Sequence, residues 1–262
     1  MKKNLYILYT TGILLFSCTG TDEMEIQNGK NLSVDIQPEK ISVQYAALPK
    51  ITSLDPALNY EFSYENGYLR KMSGKVIFTG GFELFFKNES SVLSYNNNQV
   101  TIEHSETADN GAKNIVYTME NNKPKKAELY DAYSFLFSKK EYFYETNKII
   151  TYEKTYTWEY YTTYFFDSSK NLIKAEKLEK SAGIDKKLTT TFYLNFDKAK
   201  NPYKKLYLLN DNFYEKSLSE NNFRKITYTI QDLQNTQYPP GYGNAEWSYN
   251  YNSSGQVILH FQ

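Results

Sequence analysis

Residues 158–173 read Trp158-Glu159-Tyr160-Tyr161-Thr162-Thr163-Tyr164-Phe165-Phe166-Asp167-Ser168-Ser169-Lys170-Asn171-Leu172-Ile173. Trp158, Tyr160, Thr162, Tyr164 and Phe166 alternate with a second set of side chains, and alternation with a period of two places each set on one face of a strand. Tyr, Phe, Thr and Trp suit a pleated, half-buried surface. Asp167 to Asn171 is turn chemistry, since Asp, Ser and Asn hydrogen-bond their own backbone. An apolar Leu172-Ile173 then opens the next strand. The stretch therefore predicts a β-hairpin.

The same unit recurs in both directions. Phe62-x-Tyr64 precedes Asn66-Gly67 and Leu69, and Tyr249-x-Tyr251 precedes Ser253-Ser254-Gly255 and Val257-Ile258. Further turn clusters fall at Asn96–Asn98, Asn121-Asn122, Thr146-Asn147, Lys198–Asn201 and Asn221-Asn222. Asn and Gly supply the positive φ that tight hairpins need. A supersecondary unit recurring at a period of some 20 to 50 residues marks a repeat or meander architecture. The expected fold is all-β: an elongated, twisted antiparallel meander of repeated hairpins. Tyr152, Tyr156, Trp158 and Tyr160 read as one continuous register. Ala127–Lys140, with Leu129, Tyr133, Leu136 and Phe137, is the candidate for at most one short helix in the mature body. No change of composition divides 41–262, so it reads as a single domain.

Three segments together carry a resemblance. Phe196-Asp197-Lys198-Ala199-Lys200-Asn201-Pro202-Tyr203 is followed by Leu218-Ser219-Glu220-Asn221-Asn222, and then by the terminal Tyr249-Asn250-Tyr251-Asn252-Ser253-Ser254-Gly255. This order, with the aromatic-turn-aliphatic hairpins, resembles the tyrosine-aspartate (YD or RHS-like) repeats of bacterial surface proteins. It looks like outer-membrane lipoproteins of Bacteroidota that carry YD-like repeats. The resemblance implies an elongated antiparallel sheet on a membrane anchor. It implies no catalytic residue. Several repeats lack the Gly, and the early ones match only in outline.

The N-terminus fits that expectation. Lys2 and Lys3 precede an apolar stretch over 5–16 that is shorter than the roughly 20 residues of a bilayer-spanning helix. Leu15-Phe16-Ser17-Cys18 resembles the lipobox of bacterial lipoproteins, and Cys18 is the chain's one cysteine. The resemblance implies a helical signal peptide over 1–17 and acyl chains on Cys18, with a flexible tether over 18–40. Two or more acyl chains hold a protein stably on a membrane, where one holds it only marginally. The acidic run Asp22-Glu23-Met24-Glu25 has two readings, a surface-export tag and the start of a solvated linker. The localisation expected is therefore the outer membrane, lipid-anchored, with both the surface and the periplasmic face open.

Composition removes other classes. The 30 Lys+Arg balance the 30 Asp+Glu, so no basic excess is present to meet nucleic acid. Twenty-six Tyr and 16 Phe are incompatible with a disordered chain. Two His and one Cys leave little for a metal site, and no nucleotide-binding or hydrolase motif occurs, so no cofactor, no metal and no catalytic residue are expected. His104 reads as a surface strand residue. Gly80-Gly81 precedes a strand, so it is no phosphate cradle. Asn210-Asp211-Asn212, with Glu215 and Glu220, lacks the spacing of a calcium loop and reads as a polar turn. The aromatic surplus is what remains for function. Trp158, Tyr160, Tyr161 and Tyr164, with Tyr238, Tyr242 and Trp247 near the last hairpin, are the candidate ligand-contact rings. Such rings pack against each other across strands, and where they are exposed they can also stack on sugar C–H faces. The expectation is a non-catalytic envelope lipoprotein that binds a glycan or a surface protein. A purely structural envelope role is the alternative, and an envelope-polymer hydrolase a third reading.

Overall fold

The computed structural model describes residues 36–261 except 49–52, 80–81 and 109. The segment expected to be a signal peptide, Cys18, most of the expected tether and Gly80-Gly81 lie outside the described residues. Fourteen strands form one antiparallel sheet in strict sequence order. They are β1 (Lys40–Ser42), β2 (Asn59–Glu65), β3 (Tyr68–Thr79), β4 (Phe82–Asn96), β5 (Gln99–His104), β6 (Asn114–Glu120), β7 (Lys123–Tyr130), β8 (Leu136–Tyr144), β9 (Lys148–Thr155), β10 (Trp158–Phe166), β11 (Leu172–Ser181), β12 (Ile184–Leu194), β13 (Lys225–Asp232) and β14 (Gly241–Glu246). A small terminal hairpin, β15 (Asn250–Tyr251) with β16 (Val257–Ile258), completes the chain. The all-β meander expected from the alternation is the observed fold.

The turns explain the long period in the sequence. Asn66-Gly67, Asn97-Asn98, Asn121-Asn122, Thr146-Asn147 and Asp167–Asn171 all lie at one end of the sheet, because a meander returns to the same end every second strand. Asn66, Asn97, Asn121 and Asn122 have φ between 49° and 59°. Asn tolerates that left-handed region through local hydrogen bonding. The chain also enters at this Asn end: Tyr64 Oη donates to Pro38 O, and Gln37 Nε2 donates to Gly67 O. The opposite-end turns were missed where they lack Asn-Gly chemistry. One is Tyr156-Thr157, which splits the supposed continuous register of Tyr152, Tyr156, Trp158 and Tyr160 between β9 and β10. Tyr152 consequently lies on the opposite face from Trp158 and Tyr160.

The helix also sits elsewhere than expected. Ala127–Lys140 belongs to β7 and β8, where Ala127 and Leu129 point inward at period two. Asp131 Oδ1 accepts from the Tyr133 and Phe135 amides and closes the turn between them. The described residues contain two helices, the four-residue α1 (Val43–Ala46) and α2 (Asp211–Leu218). Asn210 caps α2 by accepting from Phe213 N at 3.0 Å, so the expected polar turn is the helix start.

Alpha-2 forces the sheet to curl. Phe213 packs edge-on against Tyr60 and Phe62 of β2. Tyr214 packs against Tyr142 of β8 and Tyr164 of β10. Tyr193 of β12 donates to Glu215. One short helix reaches strands ten places apart only if strands spaced about 4.8 Å wrap around it. Each fully buried ring of this kind stabilises the fold by roughly 1.5–3 kcal/mol.

The segment joining β12 to β13 carries α2 and fills the Asn end. Here the three resembling motifs meet. Asp197 Oδ1 accepts from Asn222 N, and Asp197 Oδ2 accepts from Tyr251 Oη. Asn201 Nδ2 donates to the carbonyls of Lys216 and Ser219. Asn171, in the β10–β11 turn, accepts from Asn221 N. They form one hydrogen-bonded clasp at the Asn end.

Candidate functional site

The open end of the curled sheet is a cup. Its floor is the N-terminal turn of α2, because α2 runs from the interior toward the clasp. Asp211, the first residue of α2, keeps 74% of its side-chain surface accessible. Two cavities of about 230 Å³ flank that turn, and both are lined by Asp211 and Asn212.

The first cavity is lined by β8 to β12. Strand register puts Lys140, Glu153, Tyr160, Glu179 and Lys187 in one row across the inner face. Lys140 Nζ lies 2.6 Å from Asp211 Oδ1 and 3.7 Å from Glu153 Oε2. Burial works against the Lys140 charge, but the Asp211 and Glu153 carboxylates outweigh it and hold the amine above its ordinary value. Lys140 in turn holds the Asp211 carboxyl below its own. Glu215 moves the other way: burial raises it, against the hydrogen bond from Tyr193 Oη at 2.5 Å. Lys177 Nζ lies 4.6 Å from the Tyr160 ring centroid, within cation–π reach.

The candidate aromatics divide by face and depth. Trp158 and Tyr160 share the inner face, with near-parallel rings 6.4 Å apart, and Trp158 stands at the rim with 36% of its surface accessible. Tyr161 points outward, tilted against Tyr152 at 4.8 Å, and donates to Glu159. Tyr164 is 4% accessible and packs under α2, so it supports the cup rather than offering a ring face. Trp247 is 8% accessible and packs against Phe223. Neither presents an exposed platform. Tyr238, in the β13–β14 loop, and Tyr242, on β14, are exposed.

The second cavity holds a residue misplaced by sequence reasoning. His104 is buried on the inner face, not on the surface, at 7% accessibility. Its Nδ1 lies 2.8 Å from Ser91 Oγ on the paired strand, and its buried Nε2 has no hydrogen-bond partner among the described residues. Burial, then the nearby charges of Lys75 and Lys113, push the imidazole down to about 4. A Ser–His contact invites a nucleophile reading, but this imidazole is a weak base with no carboxylate on its far nitrogen, unlike the orienting acid of a triad. Among the described residues, no three metal-ligating side chains converge.

The outer face bears charge. Lys126–Glu128, Lys139–Glu141, Lys154–Glu159 and Lys174–Glu176 form ion pairs of 2.9–3.4 Å across its middle strands.

No family model and no curated protein matches this chain. A porin-like protein from Bacteroides vulgatus superposes with a TM-score of 0.52 at 13% identity, over 86% of this chain and 91% of its own. A porin-like protein from Bacteroides uniformis gives a TM-score of 0.46 at 15% identity, over 76% and 80%. The first likeness shows a shared fold.

Proposed function

We propose that this chain is a lipid-anchored envelope module that binds a glycan, without catalysis, in the cup. The observation that carries this reading is the Trp158–Tyr160 pair on the inner wall, beside the polar row of Lys140, Glu153 and Glu179 and above the accessible Asp211. Two ring faces beside fixed hydrogen-bonding groups are the chemistry that sorts sugars by their C–H faces and hydroxyls. The charged exterior supports a body that stands in water and is held by an anchor at Cys18 rather than by its strands. The Bacteroides porin-like neighbour agrees with an outer-membrane setting.

Glycan-array binding by the full chain tests the ligand. Trp158→Ala with Tyr160→Ala is expected to weaken binding at least about tenfold, as for rings at the centre of an interface. Tyr161→Ala, on the outer face, is expected to leave it unchanged. Equal losses from both, or no glycan bound at all, would remove the cup reading in favour of a structural role. A separate fractionation tests the anchor: Cys18→Ala is expected to move the protein from the membrane to the soluble fraction. Retention with an unprocessed N-terminus would show that Cys18 carries no lipid.

A surface-protein partner is the second reading. It is favoured by the exposed Tyr133, Phe135 and Tyr156 on adjacent rim turns, since clustered exposed rings mark interaction sites.

A further inference from the structure

The Asn end of the sheet carries another cavity, which shares no lining residue with the two of the cup. Its volume of about 470 Å³ falls within the roughly 300–1,000 Å³ of small-ligand pockets. One wall is the Asn end of β7 to β10, with Pro124, Tyr144, Ile149 and Phe166. The facing wall is Tyr207, from the segment joining β12 to β13, and Leu218 at the end of α2. Two of the wall hydroxyls already have partners within the protein. Tyr144 Oη donates to Pro124 O at 2.8 Å, and Ser217 Oγ donates to Tyr214 O at 2.6 Å. The walls are chiefly ring and hydrocarbon, and they suit a ligand with an apolar body.

Three lysines complete the lining: Lys123, Lys170 and Lys204. Lys204 is paired with Glu220 at 3.4 Å. The one carboxylate of the lining, Glu145, is paired with Lys148 at 3.3 Å. Lys123 and Lys170 are exposed and have no ion-pair partner among the described residues. Lys123 Nζ lies 5.1 Å from the centroid of the Tyr144 ring, which places this ammonium at the cavity's own aromatic wall. Lys170 sits at a φ of 64° in the β10–β11 turn, and its carbonyl accepts from Glu220 N at 3.1 Å. That bond fixes its backbone to the β12–β13 segment. Two positive charges thus stand uncompensated beside an apolar space. They repel a cation and attract an anion, and the walls reward an anion that brings hydrocarbon with it.

We propose that this cavity binds a single-chain anionic amphiphile, whose hydrocarbon lies among Tyr144, Phe166 and Tyr207 and whose carboxylate or phosphate head meets Lys123 and Lys170. The site is separate from the cup and does not depend on the glycan reading.

Titration calorimetry of the full chain tests it with decanoate, decyl phosphate and decyltrimethylammonium, each below its micelle concentration. Saturable binding of at least one of the two anions is expected, and much weaker binding of the cation. Dodecanoate, longer by two methylenes, is expected to bind about tenfold tighter than decanoate. Lys123→Gln with Lys170→Gln is expected to weaken the anions about tenfold. Lys139→Gln with Lys154→Gln makes the same change of charge on the outer face and is expected to leave binding unchanged, as is Trp158→Ala in the cup. Tighter binding of decyl phosphate identifies a phospholipid-type head and tighter binding of decanoate a fatty-acid-type head, and either result supports the site. No saturable binding of either anion, equal binding of the cation, no gain from the longer chain, or equal losses from the two lysine pairs would overturn it.

Discussion

Asn201→Ala is expected to lower stability by about 3 kcal/mol or more, measured by urea unfolding at neutral pH. Asn201 is 3% accessible and uses both ends of its amide. Nδ2 donates to Lys216 O at 2.6 Å and to Ser219 O at 2.8 Å, and Oδ1 accepts from Tyr203 N at 2.8 Å. The two carbonyls lie at the C-terminal end of α2, where helix geometry leaves acceptors without internal donors. Removing the amide leaves three buried polar groups unpaired, at about 1–3 kcal/mol each, and opens a void. Asn201→Asp is expected to do no better, because it replaces the donor with a third acceptor facing two carbonyls. The damage should spread to the cup, since this anchor fixes α2 and α2 is the floor. A loss below about 1 kcal/mol would mean that water reaches the clasp and replaces the amide.

That anchor marks how far the sequence could be read. Asn201-Pro202 and the final Tyr-x-Tyr hairpin make the turns they signal, whereas Asn221-Asn222 does not: Asn221 pairs antiparallel with Lys200, and neither Asn takes a positive φ. Their meeting in one clasp is tertiary, and no spacing along the chain announces it. The strands were legible because one buried face and one wet face enforce alternation, as in β7, where Ala127 and Leu129 point inward and Lys126 and Glu128 point outward. The same β7 shows how a short apolar window misleads. Residues 127–140 contain apolar side chains at helical intervals, because a five-residue turn shifts the phase between two strands. Helix α2 went unread for the opposite reason. Its eight residues are too few to show a period, and its signal is local, the Asn210 cap.

The site was half legible. Trp158 and Tyr160 stand out as candidates because aromatic alternation is visible in one strand, and they share the inner face. Tyr164 and Trp247 belong to the same pattern, yet curvature places them under α2 and against Phe223. Lys140, Glu153 and Asp211 were invisible as a group, since strand register and a helix 71 residues distant bring them together. His104 looked like a surface residue beside Glu103 and Glu106. Its face was assigned correctly with Ile102, and only the curl of the sheet turns that face into an interior.

The buried His104 gives the protein a pH dependence that can be isolated. Its native imidazole is held down to about 4, against about 6.5 for an unfolded histidine. Above about pH 6.5 both states are neutral and the full stability is present. As pH falls, the unfolded chain takes up a proton that the native ring refuses, so stability drops through the window from about 6.5 to about 4. Below it the native ring protonates as well and the loss levels off. A shift of this size corresponds to about 3 kcal/mol. The charges of Lys75 and Lys113 reinforce burial in setting it. Asp211, with its lowered carboxyl, and Glu215, with its raised one, also titrate in acid, but they do so in any variant that keeps them. The measurement is therefore a difference. Wild type and His104→Gln are unfolded in urea at pH 7 and at pH 4. At pH 7 the variant is expected to be the weaker, having changed the contact with Ser91. At pH 4 the gap is expected to close by about 3 kcal/mol, because the variant has no imidazole to protonate on unfolding. Parallel losses in the two proteins would mean that the native ring takes up its proton as readily as the unfolded one, so that burial does not hold it down.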